Sequence, residues 1–135
     1  MSQQFHTQGT HVFVDVFEWE KNIKLEDSIE AAQEAGMIVL SYMLIPDANS
    51  HAVLLAESHI SHHRKPGYIA LDIFTCGDKD PMVIAQRLLD KMNATKYNIR
   101  VMRRGDSAGL YFLDEQQSDV MSSQKQDLQV AACNA

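Results

Sequence analysis

Three β-type runs follow one another between Met37 and Thr75, and this succession limits the fold more than anything else in the chain. Met37 to Ile45 is almost wholly apolar and is closed by Pro46-Asp47. His51 to about Ser58 and Tyr68 to Thr75 make the next two strands, with Pro66-Gly67 turning between them. Upstream, Thr10 to Trp19 alternates, Val12, Val14 and Val16 pointing one way and Phe13, Asp15 and Phe17 the other. Downstream, Tyr97 to Arg103 alternates again, through Tyr97, Ile99 and Val101.

Two helices fit between these strands. Asp27 reads as an N-cap with Glu30 completing a capping box, Ile29, Ala32 and Ala35 as the apolar stripe, and Gly36 as the left-handed stop. Trp19 and Leu25 cover the edge of the core. Asp80-Pro81 opens the second helix, Ile84, Leu88 and Leu89 form its buried face, and Asn93 ends it. The order β-α-β-β-β-α-β predicts an α/β (α+β) domain, a two-layer sandwich of mostly antiparallel sheet with both helices on one face. The other sheet face also carries apolar side chains, which points to burial against a second subunit. Residues 1–117 make one domain, and the Ser-, Gln- and Asp-rich stretch 118–135 is expected to be a disordered tail.

A chain of 135 residues can bury a core without disulfides or a structural metal. A net charge of −6, with only small basic groups at Arg64-Lys65, Arg100 and Arg103-Arg104, argues against a nucleic-acid partner. Arg103-Arg104 reads as a solvated strand end. The two cysteines, Cys76 and Cys133, are too few for a disulfide framework. No apolar run reaches the ~20 residues of a membrane span, and Met1 to Gly9 lacks the pattern of a signal peptide. A cytoplasmic protein with no membrane partner is the expectation.

The chemistry concentrates where strands three and four approach each other. Glu57-Ser58 opens a histidine-rich segment, Ser58-His-Ile-Ser-His-His63, and the fourth strand delivers Cys76 and Gly77. From the residues alone this is a polar turn, with a serine, several imidazoles and a thiol at strand ends, where side chains can converge without filling a core. Cys76 alone reads as a small buried residue.

The segment Leu55-Ala-Glu57-Ser58-His59-Ile-Ser, then His63 and Pro66, then Ala70-Leu-Asp72-Ile-Phe-Thr-Cys76-Gly77, resembles the small prokaryotic S-adenosylmethionine decarboxylases. Gly9-Thr-His11 and Asp15 fit the first strand of that family, and the likeness covers roughly the first 105 residues. The resemblance implies a proenzyme that cleaves itself between Glu57 and Ser58, giving a β chain 1–57 and an α chain 58–135. Ser58 attacks the Glu57 carbonyl, and elimination leaves a pyruvoyl group, the covalent cofactor, where Ser58 stood. That ketone condenses with the substrate α-amine and acts as an electron sink for decarboxylation. By position His63 is the processing base, Ser50 supports processing, and Cys76 donates the proton to carbon. The resemblance also implies a homodimer or higher homo-oligomer with sites built from both subunits.

The sequence departs from the family where His-Thr-Trp/Tyr-Pro-Glu is usual. Here the chain reads His63-Arg64-Lys65-Pro66-Gly67, an aromatic before Pro46 is replaced by Leu44, and Gly-Val-Ser-Gly becomes Ala48-Asn49-Ser50-His51. Stacking a base on an aromatic ring contributes roughly 1–3 kcal/mol, so losing the nucleoside contacts shifts the expected substrate to L-ornithine or L-arginine. S-adenosylmethionine, supplying aminopropyl groups for spermidine, is the alternative; an unprocessed, non-enzymatic homologue is another. His51, His59, His62 and His63 with Cys76 hold enough nitrogen and sulfur for zinc, but His62 faces away from His59 and His63 on a strand. The expectation is no metal.

Overall fold

The computed structural model describes residues 8–45, 49–76 and 78–105. The expected stop at Pro46-Asp47, and Ala48, Gly77, Cys133 and the tail 118–135, lie outside the described residues. Within them the chain runs β1 (Gly9–Glu18), α1 (Leu25–Glu34), β2 (Val39–Leu44), β3 (Ser50–Leu55), β4 (Ser58–Lys65), β5 (Tyr68–Cys76), α2 (Pro81–Met92) and β6 (Lys96–Arg104). All six strands join one sheet in the order β2-β3-β4-β5-β1-β6, every pair antiparallel. The α+β sandwich expected from the pattern is the observed architecture.

One strand more is present than the pattern predicts. Ser58–Lys65 forms β4, between β3 and β5. It contains a single aliphatic residue, Ile60, and its inward positions are Ser58, Ile60 and His62. A buried histidine takes the place of the aliphatic residue by which an amphipathic strand is normally recognised.

The sheet separates its side chains by parity. Val12, Val14 and Val16 of β1 and Ile69, Leu71 and Ile73 of β5 are buried beneath the helices, with Val53, Leu55 and Ile60 beside them. From α2, Ile84, Ala85, Leu88, Leu89 and Met92 close this layer, and from α1 Leu25, Ala31 and Ala32. His11, Phe13, Asp15, Asp72, Phe74 and Cys76 consequently stand on the opposite, open face. Helix α1 begins two residues before the expected cap. Lys24 is the N-cap, and Asp27 accepts its backbone N–H through Oδ2 at 2.8 Å. Helix α2 starts as read: Asp80 Oδ1 accepts Met82 N–H at 2.9 Å, with Pro81 in the first position and Asn93 left-handed at the end.

Gly9 allows a close approach between β1 and β5. It pairs with Cys76 on one side and Arg104 on the other, and a Cβ there would lie 2.5 Å from the Phe74 ring and 2.6 Å from the Thr75 carbonyl oxygen. Gly9→Ala is expected to destabilise the domain by about 1–3 kcal/mol, the usual cost of overpacking. Denaturant midpoints of the two proteins measure it.

Candidate active site

The β3–β4 connection is a two-residue turn, Ala56-Glu57, closed by the pair Leu55 and Ser58. Ala56 N–H donates to Ile38 O at 3.0 Å, which ties the turn to the start of β2. Glu57 has φ of 63°, a left-handed conformation that glycine adopts freely and a glutamate only at a cost of about 1–2 kcal/mol. The strained residue is the one whose carbonyl belongs to the Glu57–Ser58 peptide bond.

Ser58 and Cys76 are brought together there. Ser58 is buried, and its Oγ accepts the Cys76 backbone N–H at 3.1 Å. The Cys76 thiol donates to Glu57 Oε2 at 3.1 Å. This bond to a carboxylate, helped by partial burial, pushes the Cys76 thiol above its ordinary value, so the sulfur keeps its proton at neutral pH. A protonated thiol beside Ser58 is a proton donor and a poor nucleophile.

An aromatic and imidazole layer covers the open face next to these residues. His59 lies 5.6 Å from Phe74 and 6.1 Å from His11, between ring centroids, and the Arg104 guanidinium sits 4.8 Å over Phe74. Burial, then the charges of His11 and Arg104, hold His59 below the ordinary imidazole value, leaving it neutral. His11 stacks on Phe13 and meets Asp72 Oδ1 at 3.1 Å. Farther along the same face Tyr68 donates its hydroxyl to Asp15, which raises the phenol's pKa. A groove of about 440 Å³ runs between Asp15, Tyr68, Asp72, Arg100 and Met102. Arg104, which reads from sequence as a solvated strand end, is exposed but packs its charge on Phe74. The β1–β6 register, which no local pattern encodes, is what places it there.

Ser50 and His63 are cross-strand partners at the other end of the hairpin. His63 lies five positions along β4 from Ser58, roughly 16 Å at about 3.3 Å per residue, and the two side chains leave opposite faces. A single chain therefore does not bring His63 or Ser50 to the Glu57–Ser58 bond. The histidines named as possible zinc ligands are also divided, His51 and His62 pointing inward and His59 and His63 outward. Among the described residues no three His, Cys, Asp or Glu side chains group around a metal-sized space.

The site is thus a strained Glu-Ser turn beside a protonated thiol, at the edge of a two-layer antiparallel domain. The family described as S-adenosylmethionine decarboxylase matches residues 10–105. An S-adenosylmethionine decarboxylase proenzyme of Synechococcus sp. (strain WH7803) is 34% identical over 119 residues, 78% of this chain and 92% of that one. One from Thermoplasma acidophilum is 34% identical over 110 residues, 73% of this chain and 84% of that one. The crystal structure of the adenosylmethionine decarboxylase from Aquifex aeolicus superposes with a TM-score of 0.65 at 24% identity, covering 79% of this chain and 98% of that one, and so shares the fold. The chain belongs to the S-adenosylmethionine decarboxylase family, whose members are pyruvoyl-dependent decarboxylases. No helix among the described residues is long and apolar enough to cross a membrane.

The Glu57 contact on Cys76 can be tested directly. In a Ser58→Ala background, adding Glu57→Ala is expected to speed alkylation of Cys76 by iodoacetamide at pH 8 several-fold, because the lost hydrogen bond lowers the thiol pKa. Mass spectrometry of the Cys76 peptide against time gives the rates.

Proposed function

We propose that this protein is a self-processing decarboxylase acting on S-adenosylmethionine. The observation that carries the reading is the Glu57–Ser58 turn, strained at Glu57 and capped by Cys76. The residues fit the pyruvoyl group that the family implies, since that group is made from the chain's own serine, and Ser58 lies buried in that turn. In processing, the Ser58 oxygen attacks the Glu57 carbonyl and the amide becomes an ester. Loss of the Ser58 α-proton then expels the Glu57 carboxylate, water enters and ammonia leaves, giving chains 1–57 and 58–135. Once formed, the ketone supplies an electron sink for loss of CO2 from the bound amino acid. Cys76, protonated and beside that position, is the donor to the substrate carbon. Its thiol state also suits a reducing, cytoplasmic setting.

The base comes from a second copy of the chain. Ser50 and His63 lie too far from their own Ser58, but the open face carries exposed Leu54, Met43 and Met102 around half-buried Phe13 and Phe74, a surface suited to burial against another sheet. Two such faces, paired with strand directions reversed, set the Ser50–His63 end of one chain against the Ser58–Cys76 end of the other.

The names of the relatives favour S-adenosylmethionine over the L-ornithine or L-arginine expected from the missing nucleoside contacts. Arg64 offers a physical reason why the loss of an aromatic need not exclude a nucleoside. Its planar guanidinium can stack on an adenine face, and its backbone N–H donates to Asn49 O at 2.8 Å, which fixes the start of that segment. The second reading, a plain basic amino acid, keeps one support: the carboxylates Asp15 and Asp72 flank the open-face groove and would attract a cationic side chain.

Intact mass, CO2 release and cleavage in variant chains test the proposal. Intact mass of purified protein should show two fragments with the break after Glu57, and a single uncut chain in Ser58→Ala. CO2 release should follow S-adenosylmethionine; release from ornithine or arginine alone overturns the substrate. When Ser58→Ala and His63→Ala chains are co-expressed, the His63→Ala chain should be cut in the mixed dimer and the Ser58→Ala chain should stay whole. His63→Ala alone should be processed at least about tenfold more slowly.

A further inference from the structure

Directly behind Ser50 and His63, on the helix side of the same two strands, lies a buried pair of histidines that the proposed reaction does not use. His51 and His62 are cross-strand partners. Their rings stack with centroids 4.6 Å apart and planes 21° from parallel, and they are 3% and 0% exposed. Each is tied to a different piece of the helical layer. The Ser28 hydroxyl of α1 shares a 2.7 Å hydrogen bond with His51 Nε2, and His62 Nε2 meets Asn22 Oδ1 at 3.1 Å in the loop before α1.

Asn22 Oδ1 accepts, so His62 carries its proton on Nε2 and leaves Nδ1 as a bare lone pair. Nδ1 is the one fully buried side-chain polar atom without a partner among the described residues. A second proton there would create both a charge and an unpaired donor in a closed space, the costlier form of an unmet group. The surroundings give that charge little relief. From α1, Glu26 and Asp27 favour a charged His51, while His63 and Arg64 of β4 oppose charge on His62. The rungs on either side offer only apolar Leu44 from β2 and Leu71 from β5.

We propose that the His51–His62 stack is a positioning element for the reacting residues: neutral, it locks the β3–β4 rung beside Ser50 and His63 onto α1, and protonation in acid releases that rung. The part concerning Ser50 and His63 rests on the function proposed above; the lock itself does not. Burial, with the neighbouring charge of His51, takes His62 down to about 4, and burial lowers His51 as well. Both shifts are downward, so the unfolded chain takes up these protons first as the pH falls. The stability they represent is complete above the unfolded value of about 6.5 and drains away between there and about pH 4.

Thermal melts of the full chain and of His51→Gln/His62→Gln, from pH 7.5 to 4.5, read the lock. The wild-type melting temperature should fall across that range, and the double substitution should remove roughly half of the fall or more. NMR titration of the wild-type imidazoles should place the His62 midpoint below about pH 5, and this decides the matter if the double variant fails to fold. The rate of self-cleavage should steepen below about pH 5 in the wild type, beyond the single-proton slope, and follow the single-proton slope in the variant. Equal melting slopes, or a His62 midpoint near 6.5, overturn the proposal. If the chain never cleaves while the melts follow the histidines, the lock stands and the processing assignment of Ser50 and His63 falls.

Discussion

Burial of one face of the β1–β5 pair is the constraint from which the rest of the structure follows. With Val12, Val14 and Val16 packed beside Ile69, Leu71 and Ile73 under the helices, the period of two leaves no choice for the residues between them. His11, Phe13 and Asp15 from one strand and Asp72, Phe74 and Cys76 from the other must share the open face. A slip of one residue in the register would bury the carboxylates and the thiol and expose the valines, at a cost no small domain could offset. The chemistry on that face is held in place by a hydrophobic layer it does not touch.

Much of this could be read before any coordinates. Period-two valines placed β1, Asp80-Pro81 and Asn93 bounded α2, and Gly36 with φ of 81° stopped α1 as expected. What could not be read was β4. Its inward residues are Ser58, Ile60 and His62, and contact with Asn22, forty residues earlier, together with stacking on His51 makes an imidazole acceptable in the core. The start of α1 departs from the expected cap for a related reason: Asp27 does cap, but from the third helical position back onto Lys24. Both are cases where a polar side chain's partner, and not its type, decides its role.

The site shows the same division. The Glu57-Ser58 bond and Cys76 were legible as residues, and Ser50 and His63 as positions in a family pattern. Their distances were not, because separation along β4 becomes a physical gap only once the segment is known to be extended. Nor was the substrate legible. Absence of an aromatic at Lys65 and a carboxylate at Gly67 points away from a nucleoside when side chains are scored by type, whereas the relatives named as S-adenosylmethionine decarboxylase proenzymes point toward one. In the proposed reading the guanidinium of neighbouring Arg64, which can lie flat on a base, would reconcile the two through a weaker and more adaptable contact.

The turn cannot do its proposed work by strain alone. Holding Glu57 left-handed stores about 1–2 kcal/mol, and if all of it were released in the transition state the rate would rise by a factor of about 5 to 30. Uncatalysed rearrangement of an amide to an ester and its elimination is far slower than such a factor could repair. The remaining acceleration must come from orientation and from a base near the Ser58 α-proton. Cys76 is protonated and donates to Glu57, so it cannot be that base, and His59 is packed against Phe74 and His11. On the proposed reading, one chain strains and orients the bond and a second copy supplies the base. This is why the unused face of the sheet, with Ser50 and His63 at its far end, makes physical sense as half of a site that only a second copy completes.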